Sequence, residues 1–322
     1  MLGCLPMSSF WEGLPKPFFI QAPMEDVTDV AFRTLISRFG KPDVSYTEFT
    51  SADGLVLAPE GGKKALLKKL EYGEGERPIV AQLFTSKPEH MERAAKLCAE
   101  LGFDGIDINM GCPDKAVEKS GCGAALIKNP ENARALIRAA QKSGLPVSVK
   151  TRLGYNTDEL ETWLPELLAE NPVAVTIHAR TRKEMSLVPA RWERVERAVQ
   201  IRNELNSNAL IIGNGDVRDL IDAREKAAAT GADGVMLGRA IYGNPWLYAN
   251  RAEPPTLTER INALIEHIQL FEEKMSGVSN FATMKKHFKA YISGWDGAKD
   301  LRVRLMETVR AQESLALLKS EL

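Results

Sequence analysis

The sequence has few of the residues from which disulfide-bonded or metal-dependent domains are built. Its 322 residues include four cysteines and four histidines. The cysteines are Cys4, Cys98, Cys112 and Cys122, and neither their spacing nor the position of any histidine matches a zinc site. We therefore expect no metal, and we expect the thiols to be reduced.

Long apolar runs and a strong net charge are also missing. No stretch approaches the ~18 apolar residues of a membrane span, and residues 1–13 do not resemble a secretory signal. The formal net charge is -1, which excludes a globally basic nucleic-acid binder but allows a local basic surface. These absences predict a cytoplasmic protein without membrane contact, and we expect a monomer.

What is present is an alternation of short apolar segments with amphipathic ones. The predicted strands are 18–22, 44–47, 79–83, 105–109, 147–150, 173–178, 210–213 and 234–237, and the predicted helices between them include 27–39, 88–101, 130–142 and 192–205. Such an alternation is typical of a parallel α/β fold. No glycine-rich dinucleotide fingerprint follows the first strand, so a (β/α)8 TIM barrel fits better than an open doubly wound sheet.

The end of the chain has a different pattern. The linker Glu253-Pro254-Pro255-Thr256 precedes predicted helices at 257–274, 281–292 and 299–318. We predict a barrel domain over residues 1–250 and a small C-terminal all-helical domain over residues 251–322. The helical domain is locally basic and carries interleaved aromatic residues, namely Lys285, Lys286, His287, Lys289, Lys299, Arg302, Arg304 and Arg310 with Phe288, Tyr291 and Trp295. This composition indicates either a solvated helix face or a surface for a polyanion.

Two predicted strand ends carry the residues of a phosphate site. Asn214-Gly215-Asp216 follows the seventh strand and Gly238-Arg239 follows the eighth, where barrels often bind a phosphate through backbone amides and a cation. Arg239 could bind such a phosphate through two hydrogen bonds. Ordinary turn chemistry is the alternative.

Other strand ends offer groups for a planar ring. Lys150 ends an apolar strand, where its ammonium could stabilise negative charge on an electron-accepting ring, although it could also merely reach solvent. The amides of Gln82 and Asn109 and the imidazole of His178 could bind the edge of a heterocycle. A phosphate, a ring and a cation together suggest flavin mononucleotide (FMN).

Cys112 lies just past the strand 105–109, in the turn Met110-Gly111-Cys112-Pro113. If a flavin delivers hydride to an electron-poor double bond, the neighbouring carbon needs a proton, which a thiol can donate. Lys115 and Lys119 would lower the thiol pKa if they are close. The alternative is a buried, inert cysteine. Cys122 is a competitor that lacks the neighbouring Asn and Pro.

A set of short stretches, taken in order, is highly specific. They are Ala22-Pro23-Met24, Gln82, Asn109-Met110-Gly111-Cys112-Pro113, Lys150-Thr151-Arg152-Leu153-Gly154, His178-Ala179-Arg180-Thr181-Arg182, Asn214-Gly215-Asp216 and Gly238-Arg239. Through them the chain resembles the tRNA-dihydrouridine synthases over nearly its whole length. It differs from the usual family pattern at Asp26 and Ala179, where glycine is common, and over residues 184–192.

The resemblance implies an FMN-bound barrel with a helical tRNA-binding domain, which reduces uridine in tRNA to 5,6-dihydrouridine with NADPH. Cys112 is similar to the proton donor to C5, while reduced flavin gives hydride to C6. The implied FMN contacts are Pro23, Met24, Gln82, Lys150, His178, Asn214, Gly215, Asp216, Gly238 and Arg239. The implied contacts with the base or the tRNA are Asn109, Lys115, Arg152, Arg180, Lys285, Lys286 and Lys289.

Two other functions remain open. An FMN-dependent small-molecule ene-reductase, or an enzyme like dihydroorotate dehydrogenase, would share the phosphate and lysine positions. A barrel that binds RNA without catalysis is a third possibility. The basic tail argues against the first alternative, and Cys112 together with Lys150 argues against the second.

Overall fold

The chain is built on one sheet of parallel strands, which a computed structural model describes over residues 9–322. The strands are β1 (Phe18–Gln21), β2 (Ser45–Tyr46), β3 (Thr50–Ser51), β4 (Ile79–Phe84), β5 (Gly105–Met110), β6 (Val147–Arg152), β7 (Ala174–His178), β8 (Leu210–Asn214) and β9 (Gly234–Leu237). Cys4 lies outside the described residues.

The sheet is a nearly closed barrel. Its strand order is β1-β9-β8-β7-β6-β5-β4-β2, with β3 pairing to β4. A parallel bridge between Ile20 and Val44 joins β1 to the residue before β2. Most strand residues are buried, and β5 is buried over its whole length, as expected for strands covered on both faces. The predicted TIM barrel is therefore confirmed.

Helices connect the strands and form the end of the chain. They are α1 (Val30–Phe39), α2 (Ala52–Leu57), α3 (Glu60–Lys69), α4 (Pro88–Glu100), α5 (Lys115–Lys119), α6 (Pro130–Gln141), α7 (Leu160–Leu168), α8 (Trp192–Glu204), α9 (Leu220–Thr230), α10 (Leu257–Met275), α11 (Lys285–Tyr291), α12 (Ala298–Glu307) and α13 (Ala311–Lys319). The predicted helical C-terminal region is confirmed.

Several predicted helix boundaries are wrong, and for two of them the structure shows the cause. α1 begins at Val30 rather than Val27, because the Asp29 carboxylate accepts the Phe32 N–H at 2.9 Å and caps the first turn there. The single helix predicted at 299–318 is two helices. The Glu313 carboxylate accepts the N–H groups of Val309 and Arg310, which begins α13 after a break.

The chain divides into two compact units. The described part of the first consists of residues 9–18, 83–215 and 224–235, and the second consists of residues 19–82, 216–223 and 236–322. The C-terminal helices thus belong to the same unit as α1 and residues 19–21 of β1. The domain boundary at residue 250 stays a prediction. Over residues 9–322, none of the helices combines the length and apolarity that crossing a bilayer requires.

Candidate functional site

The register of the first unit brings several predicted site residues side by side. Asn109 on β5 pairs with Lys150 on β6. Further along, Arg152 on β6 pairs with His178 on β7, and His178 pairs with Asn214 on β8. Residues that are distant in sequence therefore occupy adjacent strand ends, as the barrel prediction requires.

The turn that carries Cys112 is held by Asn109. The side-chain oxygen of Asn109 accepts the N–H of Cys112 at 2.9 Å and that of Gly111 at 3.2 Å. The Cys112 carbonyl accepts the Ala124 N–H at 2.9 Å. Gly123 has φ +61°, and a Cβ there would lie 2.6 Å from the Cys112 oxygen, so this position requires glycine. The cysteine backbone is thus held on both sides.

The thiol of Cys112 is half-buried, and burial raises its pKa above the usual value. A hydrogen bond from the Asp114 backbone and the charges of Arg152 and Lys150 act in the opposite direction but do not outweigh burial. The sequence pointed to Lys115 and Lys119 as the nearby cations. The structure instead assigns that role to Arg152 and Lys150, while Lys115 is exposed. The thiol keeps its proton at neutral pH.

Lys150 is a half-buried cation. Its Nζ lies 3.4 Å from Asn214 Oδ1, and it forms no ion pair with a carboxylate among residues 9–322. Burial, and next the charge of Arg152, lower its pKa to about 8. A buried ammonium that is not neutralised by a carboxylate is suited to binding an anionic group.

His178 and Gly215 approach closely at the ends of β7 and β8. Gly215 has φ +125°, and a Cβ there would lie 3.2 Å from His178 Cδ2. The indole Nε1 of Trp192 donates to the Gly215 carbonyl at 2.9 Å. His178 Nε2 lies 3.1 Å from Arg180 Nη1, and because arginine only donates, the imidazole proton is assigned to Nδ1.

Arg152 holds backbone rather than facing solvent. Its Nε donates to the Gly111 carbonyl at 2.8 Å, and its Nη1 donates to the carbonyls of Thr181 at 3.2 Å and Met185 at 3.0 Å. It is 7% exposed, and burial lowers its pKa to about 10. The predicted contact of Arg152 with the base stays a prediction, since these donors bind carbonyls within the protein.

Arg180 is also buried, at 2% exposure. Its Nε donates to the Val188 carbonyl at 2.6 Å. In this position the guanidinium stabilises the loop after β7 and does not reach the surface, so the geometry does not support the predicted contact with an RNA phosphate. The sequence also missed the ion pair between Glu118 and Arg182, which joins α5 to the same loop. The two residues are 64 positions apart, so the sequence holds no local pattern that would predict this ion pair.

The predicted cofactor residues of the second unit lie in and after β4, β1 and β9. Gln82 is fully buried, and its N–H donates to Thr47 Oγ1 at 3.1 Å. A Cβ added at Gly238 would lie 3.6 Å from the sulfur of Met24, which is ordinary contact, and the neighbouring Pro23 is half-buried. Arg239 is exposed and pairs with Asp216 at 2.6 Å. A bound phosphate would have to compete with that carboxylate.

A group of carboxylates follows the predicted cofactor residue Met24. Oxygen atoms of Glu25, Asp26 and Glu48 lie within 4.8 Å of one another. Glu48 accepts the Asp26 N–H at 2.5 Å, and burial followed by the charge of Glu25 raises its pKa to about 7. Lys69 pairs with Glu25 at 2.7 Å. The expectation that the protein holds no metal stays a prediction.

The three lysines predicted to bind tRNA lie on α11 and differ in their contacts. Lys286 pairs with Asp26 at 2.9 Å, and Lys285 Nζ donates to the Met306 carbonyl at 2.7 Å. Lys289 is exposed and has no ion-pair partner among residues 9–322. Of the three, Lys289 has the ammonium that is most available to a ligand.

Comparison with known proteins shows which family the sequence matches. Residues 20–322 match the family described as dihydrouridine synthase (Dus). The chain is 42% identical over 312 residues to the "Probable tRNA-dihydrouridine synthase" of Staphylococcus aureus (strain MRSA252), covering 96% of this chain and 94% of that one. It is 41% identical over 312 residues to the "Probable tRNA-dihydrouridine synthase 2" of Bacillus subtilis (strain 168), covering 96% and 95%.

Solved structures share the fold at low sequence identity. Histamine dehydrogenase from Rhizobium sp. 4-9 superposes with a TM-score of 0.52 at 14% identity, covering 78% of this chain and 48% of that chain. A 2-naphthoyl-CoA reductase complex superposes with a TM-score of 0.52 at 12% identity, covering 72% and 49%. The chain spans about half the length of each, and these similarities show the barrel fold alone.

Proposed function

Because the chain belongs to the dihydrouridine synthase family, a family of oxidoreductases, we propose that it reduces specific uridines of tRNA to 5,6-dihydrouridine with NADPH as the electron donor. In this reaction the C5=C6 double bond of uracil gains a hydride at C6 and a proton at C5, and NADPH becomes NADP+. The names of relatives that cover nearly the whole chain support the substrate.

The donor set suits a flavin mononucleotide. Lys150 is a half-buried cation without a carboxylate partner among residues 9–322, and such a charge can stabilise an anionic or electron-accepting ring. When bound, the flavin would supply the hydride for C6. The proposed contacts remain Pro23, Met24, Gln82, Lys150, His178, Asn214, Gly215, Asp216, Gly238 and Arg239.

The geometry of Cys112 is the observation that carries the proposal. Burial keeps the thiol protonated, so it can act as the acid for C5. Donating the proton leaves a thiolate, which the nearby charges of Lys150 and Arg152 stabilise. Asn109 holds the cysteine backbone in place through its side-chain oxygen. Proton transfer to carbon needs an acid that carries its proton and a site that stabilises the anion left behind, and Cys112 with its two neighbouring cations offers both.

The tRNA surface is proposed to include Lys115, Lys285, Lys286 and Lys289. Lys115 is exposed at the start of α5, directly after the cysteine turn, and α11 contributes three lysines and no acid. Exposed lysines contribute to RNA affinity through phosphate contacts that weaken with salt. We place Asn109 and Arg152 beside the base as positioning residues. Monomeric and cytoplasmic states stay predictions.

The test uses the full chain, NADPH and a tRNA transcript without modifications. We expect new dihydrouridine at one or a few positions, mapped by mass spectrometry. Cys112→Ala should bind tRNA and oxidise NADPH but form little dihydrouridine, because only the proton donor is lost. Cys122→Ala is the matched control, since that thiol is buried in the same loop, accepts a hydrogen bond from Ser120 Oγ and donates one to the Ser120 carbonyl.

Two outcomes would contradict the proposal. A flavin-loaded protein that makes no dihydrouridine would favour the small-molecule reductase instead. Full activity in Cys112→Ala would remove the cysteine from the chemistry while leaving the substrate assignment intact.

A further inference from the structure

The loop between β7 and α8, residues 179–191, carries the most exposed large apolar side chain among residues 9–322. Leu187 is 86% exposed, and Met185 and Val188 beside it are 40% and 37% exposed. Isolated exposed apolar residues are common. Three exposed apolar residues close together in one loop, near a proposed active site, are less common and indicate a binding surface.

The backbone of the β7–α8 loop is firmly held even though its apolar side chains are exposed. The N–H groups of Arg182 and Lys183 donate to the carbonyls of Gly154 and Tyr155, each at 2.9 Å. Within the loop, the Leu187 N–H donates to the Glu184 carbonyl at 2.9 Å. A loop with this many backbone hydrogen bonds presents Leu187 in a fixed place, so little entropy is lost when a ligand binds it.

The β7–α8 loop is joined to the cysteine turn by a single side chain. The guanidinium of Arg152 donates both to Gly111, the residue before Cys112, and to Met185 in the loop. The donor distances are 2.8 and 3.0 Å, so the two carbonyls lie within the span of one guanidinium. Arg152 therefore links the backbone of the apolar loop to the turn that carries the thiol proposed to protonate uracil.

The charge of the β7–α8 loop selects the kind of ligand. It contains four basic residues, Arg180, Arg182, Lys183 and Arg191, against one acid, Glu184. Arg180 is buried and Arg182 pairs with Glu118, which leaves Lys183 as an exposed cation with no ion-pair partner among residues 9–322. The Glu184 carboxylate is already used, because it accepts the Thr181 N–H at 2.7 Å and pairs with Arg191 at 3.0 Å. An exposed apolar side chain within a basic loop suits a nucleic acid, whose bases are apolar on their faces and whose backbone is anionic.

Resting on the proposed function, we propose that Leu187 packs against the RNA base next to the target uridine and fills the gap that this uridine leaves in the stack. A base must leave its stack to reach a site of this kind, and apolar side chains inserted beside the gap offset the lost stacking. Met185 and Val188, which are also exposed in this loop, would extend the apolar contact. Leu187 is thus a positioning residue that acts on RNA conformation and not on the chemistry.

The test compares Leu187→Ala with wild type on the mapped tRNA substrate. We expect kcat/KM for dihydrouridine formation to fall about five- to tenfold, as for the loss of one base-stacking contact. Leu187→Met should retain most of the activity, because it keeps the apolar contact. A tRNA with 2-aminopurine beside the target uridine should show a smaller fluorescence change with Leu187→Ala than with wild type. NADPH oxidation without RNA should not change.

Leu205→Ala is the matched control, since Leu205 is 50% exposed at the other end of α8. Wild-type kcat/KM and fluorescence in Leu187→Ala would overturn the proposal, as would an equal loss in Leu205→Ala. If the wild-type protein makes no dihydrouridine but its 2-aminopurine response still depends on Leu187, the proposed function fails and this contact stands.

Discussion

Arg152 donates a hydrogen bond from Nε to the carbonyl of Gly111 at 2.8 Å, and so holds the residue that precedes Cys112. The same guanidinium donates to Met185, which is 33 residues away in sequence. Cys112 and the β7–α8 loop therefore cannot move independently without breaking a buried hydrogen bond. The position of the proposed proton donor, Cys112, therefore depends on Arg152, which is not itself proposed to transfer a proton.

Replacing Arg152 by Lys tests this dependence. Lysine keeps the charge, but a single ammonium cannot reach carbonyls on both sides, so at least one would be left unpaired at a cost of about 1–3 kcal/mol. We expect a lower melting temperature and a fall in kcat larger than the rise in KM for tRNA. Steady-state kinetics and thermal denaturation check this. An unchanged kcat would show that the Cys112 turn keeps its geometry without the hydrogen bonds of Arg152.

Replacing Lys150 by Met tests its proposed role toward a flavin. The change removes the charge and keeps the apolar stem, so we expect flavin affinity to fall about ten- to a hundredfold, the size of one charge-assisted hydrogen bond. The ratio of flavin to protein absorbance after purification measures retention. Lys150→Arg keeps the charge and serves as the comparison. Equal retention in Lys150→Met would place the ammonium away from the cofactor.

The lysines of α11 should differ in their effect on tRNA binding. Lys289→Gln should weaken binding and reduce the salt slope of log Kd by about one, because the ammonium of Lys289 is exposed without an ion-pair partner among residues 9–322. Lys286→Gln should change binding less, since its ammonium already pairs with Asp26. Titrations at several salt concentrations distinguish them. A larger effect at Lys286 would mean that RNA displaces Asp26.

Acid should destabilise the second unit through two buried histidines. Burial lowers the pKa of His287 to about 3 and that of His267 well below its usual value, and their ring centroids lie 4.6 Å apart. Between the folded pKa and about 6.5 the unfolded chain binds more protons at these histidines, so their contribution to the free energy of unfolding falls as pH drops through 6.5. Glu48, whose folded pKa is raised to about 7, contributes in the opposite direction. Each histidine contributes about 1.4 kcal/mol per pH unit below 6.5.

Melting temperatures at pH 7.5 and 5.5 check this expectation. The His287→Phe variant should lose less stability between the two pH values than wild type does, whatever its stability at pH 7.5. An equal decrease in both proteins would assign the acid sensitivity to other groups.

The strands and the order of the site residues could be predicted because they depend on local patterns. Runs such as Ile106 to Ile108 mark a buried strand, and Asn109 and Lys150 follow from where the strands end. The break before α13 could not be predicted, because it depends on the hydrogen bonds that the Glu313 carboxylate accepts from the N–H groups of Val309 and Arg310. The sequence predicts Arg152 beside the base and Arg180 beside the RNA, but it does not reveal that both guanidinium groups donate to backbone carbonyls of the protein.

Burial of the cysteines has a chemical consequence beyond catalysis. Thiolates, not thiols, react with alkylating agents and peroxides, and burial raises the pKa of Cys98 to about 12 as well as that of Cys112. Both side chains should therefore react slowly with iodoacetamide at neutral pH, and the enzyme should survive aerobic storage. The burial that keeps the proton on the Cys112 thiol therefore also limits its reaction with alkylating agents.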